Sequence, residues 1–287
     1  MFIMPVFSFI ILTFNEEIHL KRLLSGIAQF NTDIFIIDSG STDNTILIAE
    51  QYGAKVIYNK FENHPKQWDF ALKNCPVKTE WLICLDADHF MTESLIAKLN
   101  EFKTENIEKE VNGIFFNRHN YFKGKRLKYG GYRNFYLQKM FRYGKGVSDL
   151  NENMDHRFII EGRSIVWKDA ILNEENLKEN NIDFWVQKHI KYSSLVAEEE
   201  YERMQGLRIQ TVKPDFFGTI DEKKAFLKKL WWSMPLYLRP FLYFIYRFIF
   251  RLGFLESRQG MIFHFLQAFW FRLMVDIKID ELKKHKS

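Results

Sequence analysis

Over the first hundred residues, short wholly apolar runs alternate with amphipathic stretches. Val6 to Leu12 is a continuous apolar run, the pattern of a strand covered on both faces. Thr13-Phe14-Asn15-Glu16-Glu17 interrupts it, and Leu20, Leu23, Leu24, Ile27 and Ala28 then share one helical stripe. Ile34 to Ile37 predicts a second buried strand, ending in the polar loop Asp38-Ser39-Gly40-Ser41-Thr42-Asp43. A helix from about Asn44 to Tyr52 stops at Gly53. Lys55 to Tyr58 reads as a third strand, Lys66 to Asn74 as a third helix and Trp81 to Leu85 as a fourth strand. Thr92 caps a further helix from Glu93 to Phe102. Such alternation predicts an α/β fold with a mainly parallel, Rossmann-like sheet flanked by helices. Ligands of such sheets sit beyond the carboxyl ends of the strands, where every polar cluster here lies.

The pattern then loosens. Ile114 to Asn117, Phe135 to Phe141 and Ser164 to Trp167 read as strands, and Asp183 to Met204 as a long polar helix. A basic loop, Lys123 to Tyr132, separates the first two of these strands, and an acidic loop, Ser148 to Asp155, follows the second. The expected division is a catalytic domain over residues 1–222, with halves of about 1–110 and 111–222, and a helical region over 223–287.

Composition sharpens the last boundary. From Lys223 onward there are 13 Lys and Arg against 4 Asp and Glu, while the preceding residues hold 28 against 32. A basic, aromatic quarter on an acidic body suggests a membrane surface or nucleic acid. Arg247, Arg251 and Arg258 share one helical face, and Phe244, Ile245, Phe248, Ile249, Phe250 and Leu252 cover much of the rest. That pattern suits an amphipathic helix lying at a membrane surface, with Met261 to Val275 as a second amphipathic segment. Arginines interrupt every long apolar stretch there, so a spanning helix is not expected. The apolar start, Met1 to Phe14, has no basic leader and no cleavage site, and reads as a buried strand. Cys75 and Cys84 have no partners at metal-ligand spacing and form no disulfide framework, which fits a reducing cytoplasm.

Asp86-Ala87-Asp88 is the candidate chemistry. Strand side chains alternate faces, so the two acids start on one side and repel each other. A divalent cation relieves that repulsion, and oxygen-only ligands suit Mg²⁺ or Mn²⁺ completed by substrate phosphates. The same residues also serve as an acidic turn before a helix. No Gly-x-Gly-x-x-Gly follows the first strand and no Gly-Lys-Ser/Thr loop is present, so metal rather than a glycine-rich helix start would neutralise a diphosphate.

Three motifs stand in order at strand ends: Thr13-x-Asn15-Glu16, Asp38-Ser39-Gly40-Ser41-Thr42-Asp43 and Asp86-Ala87-Asp88. Together they resemble the family-2 inverting glycosyltransferases of the GT-A fold, over roughly residues 5–170. The C-terminal part resembles the membrane-associated bacterial members that build lipopolysaccharide core and exopolysaccharide. The resemblance implies a nucleoside-diphosphate sugar, with uridine as the nucleoside, and a glycan or glycolipid acceptor. It places Thr13, Asn15, Glu16 and Ser39 around the base and ribose, and a hydrogen bond from uracil on Asp38. Asp86 would contact the ribose or a metal-bound water, with Ala87 beside it, Asp88 would ligate Mg²⁺ or Mn²⁺, and Lys66 would stand near the phosphates. The acceptor base would be Glu152 or, as its rival, Asp155, in a loop that commonly reads His-Glu in relatives and reads Asn151-Glu152 here. Arg126 and Tyr132 are the acceptor candidates.

These readings place the protein peripherally at the cytoplasmic side of a membrane, with an anionic lipid surface rather than nucleic acid as partner. Two other classes compete. A sugar-nucleotide pyrophosphorylase would open with a Gly-rich loop, and a phosphatase using Asp86 and Asp88 would need a later Lys-plus-acid set in order. A non-catalytic membrane adaptor would have no use for an intact Asp88 and Glu152.

Overall fold

A computed structural model describes residues 6–151, 156–208 and 211–286. Contacts divide the chain into two compact units. The first comprises the residues up to Arg126, with 132–150 and 156–180; the second comprises 127–131, Asn151 and the chain from Asn181 onward. The boundary therefore falls at Asn180/Asn181, earlier than the composition shift at residue 222. The long helix after it packs within the second unit, as described below.

In the first unit the alternation appears as expected. Strands β1 (Phe7–Thr13), β2 (Ile34–Asp38), β3 (Lys55–Tyr58) and β4 (Trp81–Asp86) alternate with helices α1 (Glu17–Ile27), α2 (Thr45–Gln51) and α3 (His64–Asn74). β5 (His89–Met91) and α4 (Glu93–Asn100) follow, then β6 (Val111–Phe122), β7 (Lys125–Arg126), β8 (Phe135–Arg142), β9 (Gly146–Ser148), β10 (Phe158–Ile160) and β11 (Arg163–Glu174). Among the described residues nine strands form one sheet in the order β3-β2-β1-β4-β8-β6-β11-β5, with β7 on β6. β1 pairs in parallel with β2 and β4, β2 with β3, and β6 with β11. β8 and β5 run antiparallel to their neighbours.

The apolar runs explain this layering. β1 is buried along its whole length. Phe9 and Ile11 face one core with Leu20, Leu23, Leu24 and Ile27 of α1. Ile10 and Leu12 face the other, with Trp68 and Ala71 of α3. Two strands exceed their apolar cores, for β6 and β11 both run to twelve residues. Their polar ends, His119, Asn120, Asn173 and Glu174, pair with one another across the ladder, so backbone pairing carries the strands beyond the hydrophobic signal.

The second unit is helical: α5 (Ile182–Met204), α6 (Ile220–Ser233), α7 (Leu238–Ile245), α8 (Arg258–His264) and α9 (Phe271–Lys286). Ala197 and Tyr201 of α5 pack with Phe271, Val275 and Ile279 of α9. Beside them Arg239 is fully buried. Its Nε lies 2.8 Å from Asp276 Oδ1, its Nη2 is 2.7 Å from Glu200 Oε2, and its guanidinium lies over Trp231. The loop 127–131 belongs here too, since Lys128 and Tyr129 donate backbone N–H groups to Glu256 and Gly130 donates to the Arg251 carbonyl. A Cβ at Gly130 would overlap the His264 ring, and the residue's φ is +64°, so only glycine fits. Among the described residues one continuous helical run, Arg258–Lys284, is long and apolar enough to cross a membrane by length and composition. It was not expected from the arginine spacing, because Arg258 opens the run and Arg272 stands at its middle, leaving no long uncharged stretch.

Two expectations follow. Replacing Arg239 with Met leaves Asp276 and Glu200 buried together without a cation, and is expected to cost about 3–5 kcal/mol in guanidinium unfolding. The second concerns pH. Burial, reinforced by the Arg126 charge, lowers the His119 pKa to about 4, and burial lowers that of His189 to about 4. Both rings are neutral when folded, so the unfolded chain takes up protons first as pH falls. The stability held above about pH 6.5 is then lost progressively towards pH 4. The unfolding midpoint should fall between pH 7 and pH 5, and should fall less in His119→Gln and His189→Gln.

Candidate active site

The motif residues converge at the carboxyl ends of β2, β1 and β4, which are adjacent in the sheet. Asp38, the last residue of β2, is 1% exposed. Its Oδ1 accepts the backbone N–H groups of Gly40 at 2.8 Å and Ser41 at 2.7 Å, and its Oδ2 accepts the hydroxyls of Thr13 at 2.8 Å and Ser41 at 2.5 Å. Four donors fill the acceptor positions of one carboxylate. Asp38 is thus the organiser of its loop, and a base N–H reaching it would have to displace one of these donors.

The β1 end is tied to the same loop. Asn15 has φ +54°, a left-handed conformation that asparagine tolerates better than most residues. Its N–H donates to Ser41 Oγ and its Oδ1 accepts the Thr42 N–H, both at 2.8 Å. The Glu16 N–H donates to Thr45 Oγ1, while its carboxylate meets His19 Nδ1 at 2.5 Å and Lys178 Nζ at 2.8 Å. Ser39 Oγ accepts from Gln67 Nε2 at 3.1 Å.

The strand β4 ends at Asp86, and Ala87 and Asp88 form the turn into β5. The period-two argument therefore does not extend to Asp88. The repulsion expected at this pair is also relieved from within. Lys139 Nζ, on β8, lies 2.9 Å from Asp86 Oδ2, and His64 Nε2 lies 3.2 Å from Oδ1. Burial opposes ionisation of Asp86, but the Lys139 ammonium, with His64 and His89, holds its carboxyl well below the usual carboxylate range. His89 Nδ1 accepts the Asp86 N–H at 2.8 Å, and its Nε2 faces Glu174 Oε2 at 3.1 Å. Burial likewise opposes ionisation of Glu174, and Arg118 and His89 more than offset it.

Asp88 sits against the end of β11. Its carbonyl accepts from the Glu175 N–H at 3.1 Å and from Arg22 Nη2 at 3.3 Å, and its Oδ2 accepts from Asn176 Nδ2 at 3.2 Å. Among the described residues no group of three or more His, Cys, Asp or Glu side chains forms a metal cluster. The carboxylate of Asp88 fits a hard cation that takes most of its ligands from water and a diphosphate.

Other expected residues lie elsewhere. Lys66 points away, pairing with the exposed Glu62 at 2.5 Å, and His64 from the same turn reaches Asp86 instead. Arg126 Nη2 donates to His119 Nε2 at 2.7 Å, and Tyr132 is buried. Ala87 is buried within the turn between Asp86 and Asp88. Glu152 and Asp155 lie outside the described residues. The strands flanking their loop, β9 and β10, form a hairpin, and Asp149 meets Arg157 Nη2 at 2.9 Å at its base.

The pattern of apolar runs did not single out Lys139, His64, His156 or Asn176. The signal for Lys139 was a buried Gln-Lys pair inside the apolar strand Phe135–Arg142. His156 stacks on Trp68 at 5.3 Å between ring centroids and meets His64 edge-on at 4.9 Å. Burial, and then the charges of His64 and Lys139, push its pKa well down.

The chain is 26% identical over 278 residues to the lipopolysaccharide core biosynthesis glycosyltransferase LpsC of Rhizobium meliloti, covering 92% of this chain and 91% of that one. An uncharacterized glycosyltransferase of Rickettsia bellii is 33% identical over 88 residues, 31% of this chain and 29% of its own. The mannosyltransferase PcManGT of Pyrobaculum calidifontis, solved with GDP-Man and Mn²⁺, shares the fold at a TM-score of 0.53 and 11% identity, over 97% of this chain and 88% of that one. The sequence profile of glycosyl transferase family 2 matches residues 8–171, which span the sheet and all three strand-end motifs, and the chain belongs to that family of glycosyltransferases.

Proposed function

We propose that this glycosyltransferase moves a sugar, with inversion, from a nucleoside-diphosphate sugar to a hydroxyl of a lipid-linked or lipopolysaccharide-core glycan at the cytoplasmic face of a membrane. The observation that carries the donor half is the adjacency of three polar strand ends, β2, β1 and β4, along one edge. The relative LpsC, named for lipopolysaccharide core biosynthesis, supports the acceptor class. PcManGT, which shares the fold and was solved with GDP-Man and Mn²⁺, agrees with a metal-bound sugar nucleotide.

In this reading the Asp38 loop, with Thr13, Asn15 and Ser39, shapes the pocket for the base, which we take to be uracil. Asp86 faces the ribose side and Asp88 is the metal ligand. A bound Mg²⁺ or Mn²⁺ would supply Lewis-acid stabilisation of the departing nucleoside diphosphate. Glu152, with Asp155 as its rival, takes the proton of the acceptor hydroxyl as it attacks the face opposite the diphosphate. Arg126 at the His119 corner meets an acidic acceptor.

The second unit supplies the membrane side. Phe241, Ile245, Ile249, Phe250 and Phe254 are exposed large apolar residues, and Arg247, Arg251 and Arg258 stand among them. Apolar side chains beside cations suit the boundary between anionic headgroups and acyl chains.

Thermal-shift measurements should show Mn²⁺-dependent stabilisation by a uridine-diphosphate sugar, with GDP-mannose as the competing donor. Asp88→Ala should abolish that metal dependence. Glu152→Gln should keep donor binding and lower transfer by about 10²- to 10⁴-fold. Stabilisation that ignores both metal and Asp88 would sink the donor-site reading. On vesicles containing anionic lipid, the protein should co-sediment at low salt and be released as salt rises; a fully soluble protein at low salt contradicts the membrane reading.

A further inference from the structure

We infer that Arg247 and Arg251, converging over Gly131, form a binding site for the phosphate group of an anionic membrane lipid. The inference rests on the reading of the second unit as membrane-facing, and gives that surface a defined subsite.

All of its parts belong to the second unit. The loop 127–131 docks there through its backbone: Lys128 and Tyr129 donate to Glu256, and Gly130 donates to the Arg251 carbonyl at 2.8 Å. Gly131 follows with φ +96°, a conformation that side chains rarely adopt. The three atoms nearest the place that a Cβ would take at Gly131 are all arginine nitrogens. Arg251 Nη2 lies 3.8 Å from that point, and Arg247 Nη2 and Arg251 Nε lie 3.9 Å from it. Two guanidinium groups thus meet over one stretch of glycine backbone.

Tyrosines hold both arginines. Arg247 Nη1 donates to the Tyr243 hydroxyl at 2.7 Å, and Arg251 Nη1 to the Tyr246 hydroxyl at 3.3 Å. Among the described residues Arg251 pairs with no carboxylate. The acid of this corner, Glu256, is buried and taken up by the N–H groups of the loop. Arg251 therefore brings to Gly131 a positive charge that is met by a hydroxyl and a ring. An oxyanion at that point would touch both guanidinium groups. A phosphate suits it, because a guanidinium binds two of its oxygens through parallel N–H bonds.

The surroundings select the source of the phosphate. Tyr246, Ile249, Phe250 and Leu252 flank the two arginines in sequence and are large apolar residues left exposed. A free phosphate gains nothing from them, whereas a lipid phosphate brings acyl chains to the same place. The backbone is specialised here as well. Tyr246–Phe250 forms a π-helical turn, a feature that recurs at functional sites, and Leu252 follows at φ +59°.

The test is co-sedimentation of the full-length protein, at low salt, with phosphatidylcholine vesicles containing phosphatidate. A double variant, Arg247→Lys with Arg251→Lys, keeps both charges but loses the paired N–H edges. It is expected to bind about tenfold more weakly than the wild-type protein. Should it fail to fold, Arg251→Lys alone, at an exposed position, should move the affinity in the same direction by less. Wild-type affinity in the folded double variant, or in Arg251→Lys where the double variant does not fold, overturns the inference and leaves the membrane-surface reading standing. A wild-type protein that stays in the supernatant sinks both. Inorganic phosphate without vesicles is the second probe, read by thermal shift against chloride at equal ionic strength. Stabilisation by phosphate that is lost in Arg251→Lys would give the site to the free anion and overturn the lipid assignment; its absence supports that assignment.

Discussion

Acids placed at the carboxyl end of a buried sheet have lost most of their water and must find donors in the protein. Asp38, Asp86 and Glu174 all meet that requirement, each differently. Asp38 takes two backbone N–H groups and two hydroxyls from its own loop and from β1. Asp86 takes an ammonium from β8 and an imidazole from α3. Glu174 takes Arg118, His89 and Asn120. The site's shape depends on this satisfaction of charge, because leaving any one of these groups unpaired costs more than its pairing contributes.

The topology delivers those donors. Four parallel strands place the motif loops side by side, as the sheet order β3-β2-β1-β4 requires. The antiparallel insertion of β8 beside β4 then brings a lysine to an acid from 53 residues earlier. The return of β11 alongside β6 brings Glu174, Glu175 and Asn176 against the Asp88 turn.

The helical unit meets the same constraint with fewer groups. Arg239 between Asp276 and Glu200 is a buried cation shared by two acids, and Trp231 both covers the guanidinium and donates to Glu200. The unit turns an aromatic and arginine-bearing surface to solvent around α7. Burying charge inside while exposing apolar side chains outside inverts the usual pattern of a soluble domain.

The fold of the first unit was legible in the sequence because its signals are local. Runs such as Val6–Leu12 and Ile34–Ile37 bury both faces of a strand, and each ends in residues that can only turn or cap. The motif positions Thr13, Asn15, Asp38 and Asp88 were readable for the same reason. What each acid does was not. Spacing suggested that Asp86 and Asp88 share a face and a cation, whereas β4 ends at Asp86 and Lys139 neutralises it. Lys66 looked like the basic group of its helix start, but His64 is the side chain that reaches the site. α5 read as part of the catalytic half, yet its apolar stripe found its partner in α9. Local pattern fixes which backbone forms and where it stops. The partner of a charge depends on which distant strand lies alongside, and only the assembled sheet decides that.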